Sequence, residues 1–139
     1  MLRYLLDSNI VSEPAKPQPN KRVLAKYEMH QRESALPSVA WHELLYGLER
    51  MSEGPRHDFL AHYLLETVRP ALPILPYNEA AARWHSRERA RLESIGRTPP
   101  FADSMIAAIV ATQNLILVTR NTHDFDGFED LHIENWFEE

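Results

Sequence analysis

Four carboxylates stand where chemistry could be done: Asp7, Glu43, Asp103 and Asp124, separated along the chain by 36, 60 and 21 residues. Two of them follow short apolar runs of strand length. Asp7-Ser8-Asn9 comes after Leu2 to Leu6, and Thr119-Arg120-Asn121-Thr122-His123-Asp124 comes after Leu115 to Val118. Ligands of open parallel sheets bind beyond the carboxyl ends of strands, so polar residues there are the first candidates. Glu43 and Asp103 lie near the starts of helical segments that are otherwise largely apolar. Asp103 is the most informative, because Ile106, Ala107, Ile109, Val110 and Ala111 cover most of its helix and bring its carboxylate near the packed sheet. Alone, an Asp in a first helical turn only complements the helix dipole, a contribution of about 0.3–1 kcal/mol. Gathered at one sheet edge, four carboxylates repel one another and raise each other's pKa unless a cation is bound. Oxygen ligands in that number suit a hard cation, Mg²⁺ or Mn²⁺, rather than zinc. The chemistry such a site performs best is in-line attack of metal-activated water on a phosphodiester.

To gather them, strands must alternate with helices. Leu2 to Leu6 is the first strand, and Pro14, Pro17 and Pro19 make the following stretch a stiff loop. Asn20 caps a helix running to about Gln31, and a second short strand lies near Ala35 to Leu36. Ser38 reads as the N-cap of a helix through Met51 that Gly54-Pro55 stops. A helix from Arg56 to Leu65, a strand from Ala71 to Leu75 and a long helix from Asn78 to Ile95 follow, the last ending at Gly96. The Thr98-Pro99-Pro100 break separates it from a helix over Phe101 to Gln113, and Leu131 to Trp136 forms a last, edge strand. This alternation predicts a three-layer α/β/α domain over residues 1–139, with a central, mostly parallel sheet of four to five strands.

Composition removes several alternatives. A chain of 139 residues buries roughly 68–70% of its extended surface, so it needs no staple. Without cysteine there is no disulfide framework, thiolate zinc site, iron–sulfur cluster or thiol nucleophile. The longest purely apolar stretch, Met105 to Ala111, falls far short of the roughly 18 residues of a membrane span. The N-terminus carries charge too early for a secretory signal, which places the expected location in the cytoplasm. Net charge is −5, yet seven acids and no Lys or Arg lie from Asn121 to Glu139, leaving residues 1–120 at 15 − 13 = +2. A polyanionic substrate is therefore compatible with this chain, although an acidic tail is ordinarily just solvated.

Leu5-Leu6-Asp7-Ser8-Asn9, Glu43 with Gly47, Ala102-Asp103 with Ile106-Ala107-Ala108, and Thr119-Arg120-Asn121 with Asp124-Phe125 resemble, in order and spacing, PIN-domain ribonucleases of the VapC toxin type. The likeness spans Leu2 to Phe125, and the opening Asp7 to Pro14 is similar to the FitB-like branch. The resemblance implies a PIN-like fold, an acidic metal site of Asp7, Glu43, Asp103 and Asp124, and a divalent-metal-dependent endoribonuclease that is the toxin of a type II toxin–antitoxin pair. Ser8, Asn9, Thr119 and Asn121 would orient the carboxylates by hydrogen bonding. Ser8 stands where the family more often has Thr, which keeps the hydroxyl. Implied partners are an RNA substrate, tRNA or rRNA, a second copy of the chain, and a cognate antitoxin that blocks the site and supplies the only link to DNA.

Other features carry less. His42-Glu43 begins like a zinc-protease helix, but Tyr46 replaces the second ligand, and His57, His62, His85, His123 and His132 read as surface or capping residues. Arg83, Arg87 and Arg91 form a stripe that reads as a solvated face partly paired with Glu79, Glu88 and Glu93. Trp41, Trp84 and Trp136 read as core or interface residues. Two rival functions remain: an aspartate-nucleophile phosphohydrolase, weakened because Asn9 stands where a second Asp is wanted, and a non-catalytic dimeric partner-binding domain in a DNA-bound regulatory complex.

Overall fold

In the computed structural model, which describes residues 1–138, five short strands run parallel in the order β3-β2-β1-β4-β5. They are β1 (Tyr4–Leu6), β2 (Ser34–Pro37), β3 (Ile74–Leu75), β4 (Ile116–Val118) and β5 (His132–Glu134). The helices are α1 (Ser8–Val11), α2 (Lys21–His30), α3 (Ser38–Glu49), α4 (Pro55–His62), α5 (Arg69–Ala71), α6 (Glu79–Ser94) and α7 (Phe101–Thr112). The chain builds outward from β1 through β2 to β3, then returns to the other side of β1 with β4. The strand order therefore reverses between β1 and β4, and their carboxyl ends frame the crevice where α/β sheets bind ligands.

Alternation along each strand sends side chains to opposite faces, and two cores result. Leu5, Ala35 and Leu117 join Ala81 and Leu92 of α6 and Ile106 to Val110 of α7. Tyr4, Leu6, Leu36 and Val118 join Ile10, Val11, Val23, Ala40, Leu64 and Val68 on the other side. Ile106 to Val110 are each at most 1% exposed, because α7 lies between the sheet, α3 and α6. A helix covered on so many sides is held rigidly, and Asp103 in its first turn inherits that rigidity.

Asn20 caps α2 as expected, and Asn78 caps α6, each side chain accepting from backbone N–H of the first turn. Ser38 does not cap α3. Pro37 holds the cap position with no side-chain bond, and its fixed φ of −73° turns β2 straight into the helix, so Ser38 is the first helical residue. The stretch expected to be a loop after β1 contains α1 and a 3-10 turn over Glu13–Ala15. Asp7 caps α1, Pro14 is pre-set for a helical turn, and buried Glu13 fixes the segment by accepting from the Asn20 N–H at 2.8 Å and pairing with Lys16 at 3.0 Å. The helix expected over Arg56 to Leu65 runs on, as α4, a π-turn over Tyr63–Val68 and α5, which shortens the strand expected over Ala71 to Leu75. Tyr63 anchors that wider turn by donating its hydroxyl to the Val11 carbonyl at 2.6 Å.

Candidate active site

Asp7 closes β1. Its N–H donates to the Val118 carbonyl of β4 at 2.9 Å, and its Oδ1 accepts from the Ser8 N–H at 2.8 Å. Its Oδ2 accepts from the Thr119 hydroxyl at 2.9 Å and the Asn9 amide at 3.4 Å. Thr119, wholly buried at the end of β4, also accepts at its hydroxyl oxygen from the Asn9 amide at 3.3 Å and the Asn121 N–H at 3.1 Å. Asn9 completes the crossing by accepting from the Arg120 N–H at 3.0 Å. These bonds lock the two strand ends together at the switch point, so the orientation of Asp7 is set before any ligand arrives.

Asn9 and Thr119 thus act through their side chains, as expected, whereas Ser8 reaches Asp7 with its backbone N–H. Asn121 contributes backbone too: its carbonyl accepts from the Asp124 N–H at 3.0 Å, which shapes the 3-10 turn Thr122–Phe125. Thr119 was expected beside Asp124, but its hydroxyl lies on Asp7.

The other carboxylates approach from three elements: Glu43 from α3, Asp103 from α7, and Asp124 from the turn anchored by buried Phe125. Burial raises the Asp7 carboxyl, its hydrogen bonds to Thr119, Ser8 and Asn9 oppose that, and Asp124 raises it further. Partial burial and then the Asp7 charge raise Glu43, with His42 opposing. Asp103 is pushed up to about 6, by burial first and then by Asp7, Asp124 and Glu43. All four acids therefore share one electrostatic environment, although they come from four separated places in the chain.

Do these residues fit a divalent cation? Among the described residues, no three His, Asp or Glu side chains stand close enough together to hold a metal ion as they are placed. Both Asp7 oxygens are turned to hydrogen-bond donors. The donor set is carboxylate oxygen, and partly buried acids raised by one another are those a hard cation relieves. By donor chemistry, though not by a ready-made cluster, these oxygens match a hard cation such as Mg²⁺ or Mn²⁺.

Two residues, Arg91 and His85, depart from what the sequence suggests. Arg91 does not stay on a solvated stripe: it donates to both Glu88 oxygens, at 2.7 and 2.9 Å, and to the Gly127 carbonyl at 3.0 Å. Glu88 is buried and accepts from the Glu129 N–H at 3.1 Å, so α6 grips the loop that follows Asp124. The Glu88/Arg91 spacing was visible, but the loop partner was not. The pairs Arg83–Glu79 and Arg89–Glu93 do form, at 3.2 and 3.1 Å. His85 is no surface histidine; it is 3% exposed, with Nδ1 2.8 Å from the Tyr77 hydroxyl and its ring against Phe101. Trp136 is core, packed edge-on to Tyr4.

A parallel α/β sheet with acids converging at its switch point defines the class of protein. The PIN domain model matches residues 4–131. The chain is 32% identical to the tRNA(fMet)-specific endonuclease VapC of Shigella flexneri, over 98% of this chain and 99% of that one. It is 32% identical to Toxin FitB of Neisseria gonorrhoeae, over 87% and 89% of the two chains. The crystal structure of FitAcB from Neisseria gonorrhoeae superposes with a TM-score of 0.89 at 29% identity, covering 98% of this chain and 99% of that one. The chain belongs to the PIN-domain family, among the ribonuclease toxins of the VapC type.

Proposed function

We propose that Asp7, Glu43, Asp103 and Asp124 hold Mg²⁺ or Mn²⁺ and that this site hydrolyses phosphodiester bonds of RNA, as the toxin of a toxin–antitoxin pair. The observation that carries this reading is the locking of Asp7 between the ends of β1 and β4 at the switch point of the sheet, with the Asp103 carboxyl raised by burial first and then by the charges of Asp7, Asp124 and Glu43. When bound, the cation supplies Lewis-acid stabilisation for in-line attack of water on phosphorus. Asp7 is the fixed ligand, since Thr119, Asn9 and Ser8 orient it from behind. Asp103 stands on a rigid helix, while Glu43 and Asp124 approach from the exposed side. Engagement of both Asp7 oxygens weighs against a nucleophilic aspartate, and the presence of all four acids weighs against a vestigial site.

The substrate class is RNA, with tRNA first among candidates because the Shigella relative is named for it. A cognate antitoxin covers the site, DNA is reached only through that antitoxin, and the toxin works as a homodimer in the cytoplasm. No helix among the described residues is long and apolar enough to cross a membrane. Incubation of antitoxin-free protein with total tRNA and rRNA, in Mg²⁺, Mn²⁺ or chelator, tests the reading. Discrete fragments that vanish with chelator and with Asp103→Asn are expected. Cleavage that survives either change would locate the activity elsewhere.

A further inference from the structure

A cavity of about 260 Å³ opens beside Asp124, between the segment joining α6 to α7 and the turn that carries the carboxylate. Asp124 forms part of its wall, so its occupant lies next to the acidic site. Leu92 and Phe128, 1% and 7% exposed, give it an apolar floor, and Pro99 adds a side. Its rim holds one guanidinium, Arg97, beside the carboxylates of Asp124 and Asp126. Arg97 and His123 both reach Asp126, Arg97 Nη2 at 3.4 Å from Oδ1 and His123 Nδ1 at 3.1 Å from Oδ2.

Arg97 is placed there by two glycines. Gly96, at φ 78°, ends α6 in the left-handed region, and the Arg97 N–H bonds back to the Leu92 carbonyl at 2.8 Å. At its far end the guanidinium lies against Gly127, where a Cβ would stand 2.9 Å from Cζ. The Arg97–Asp126 pair is long and about half exposed (53% and 54%), so solvent screens it and a stronger anion can displace it. A phosphate is such an anion, because its oxygens match the guanidinium fork. An acidic site in a chain of net charge −5 repels polyanions, so a cation at its edge has a specific use in holding one.

We propose that this cavity receives the nucleotide adjoining the scissile phosphodiester, with Arg97 binding its phosphate and the apolar floor taking its sugar and base. The inference rests on the ribonuclease reading. It is tested by the affinity of a single-stranded RNA oligonucleotide as a function of salt in Mg²⁺, every protein carrying Asp103→Asn so that the RNA stays intact. Arg97→Ala is expected to weaken binding roughly tenfold at low salt and to lower the slope of log K on log salt by about 0.7, the loss of one single-strand phosphate contact. Arg97→Lys keeps the slope. Gly127→Ala, which displaces the guanidinium without removing its charge, weakens binding by less. With Asp103 restored, all three variants bind Mn²⁺ as the parent does. Unchanged RNA affinity and slope in Arg97→Ala overturns the proposal, as does a parallel loss of Mn²⁺ affinity, which would make Arg97 only a brace for the Asp124 turn. A parent chain that neither binds nor cuts RNA would sink the ribonuclease reading itself, whereas one that does both while Arg97→Ala matches it sinks the cavity alone.

Discussion

Thr119 is a small residue with a large positional duty. One hydroxyl donates to Asp7 and accepts from Asn9 and Asn121, in a place without solvent to replace it. Thr119→Val keeps the shape and removes those bonds, so unfolding experiments should show a loss of about 1–3 kcal/mol, with ribonuclease activity falling as well. Thr119→Ser restores the hydroxyl and should recover most of both. Asp103 has the opposite character, because its charge costs stability in the absence of metal. Folded, it keeps its proton up to about pH 6, whereas an unfolded Asp releases it near pH 4. Between those values the folded state binds more protons, so this group's stability contribution falls as pH rises through the window and stays low above it. Asp103→Asn should therefore raise the unfolding free energy of metal-free protein at pH 7 to 8, by on the order of 1 kcal/mol after allowance for solvent screening, with a matching rise in melting temperature. The same variant should lose metal-dependent cleavage by about a hundredfold or more. A variant that gains stability while losing activity is the signature of a functional carboxylate, which a dipole-complementing Asp would not give.

Elements bring the remaining pieces. The turn bearing Asp124 has little of its own to hold it, being a single 3-10 turn pinned by Phe125. Its continuation is tied to α6 through Arg91, Glu88 and the backbone at 127 and 129. Glu88 is held below the usual carboxylate range, chiefly by its bonds to Arg91, so the pair is ionised at neutral pH. Arg91→Leu leaves a buried carboxylate without its partner, and a loss of about 3 kcal/mol is expected. Amide hydrogen exchange should report it locally, with faster exchange from residue 122 to 129 than in the sheet. Uniform acceleration over the whole chain would show that the clamp stabilises the fold rather than the turn.

At the scale of the molecule, charges that are far apart in sequence compensate each other. Residues 121–139 hold seven acids and no Lys or Arg, yet Glu129 meets Arg91 at 3.6 Å and Asp126 meets Arg97 at 3.4 Å. Asp7, Glu43, Asp103 and Asp124 lack such partners among the cations of the described residues, so if they hold a cation as proposed, its binding should stabilise the fold. Mn²⁺ at a hundred times its dissociation constant should stabilise the protein by about 2.7 kcal/mol, a rise of roughly 10 °C in melting temperature. Scanning calorimetry with and without chelator measures this. A melting temperature indifferent to the metal would mean that the four carboxylates do not share an ion.

Apolar runs at Leu2 to Leu6 and Leu115 to Val118, and the buried circumference after Asp103, were readable without coordinates, because burial selects side chains by period and leaves that selection in the sequence. The order of acids after strands and at helix starts was equally legible, and with it the family. Boundaries set by local competition were not. Pro37 in place of Ser38 at the cap, α1 inside an expected loop and the π-turn after α4 depend on contacts such as Tyr63 with Val11, which no local pattern encodes. The tertiary structure alone decided which hydrogen bond each helper makes, Thr119 going to Asp7 rather than Asp124. It also turned Arg91 from a solvated face toward the loop after Asp124. Hydrogen bonds and charges act over a few ångströms in space whatever their separation along the chain, so sequence can supply the groups while only folding chooses their partners.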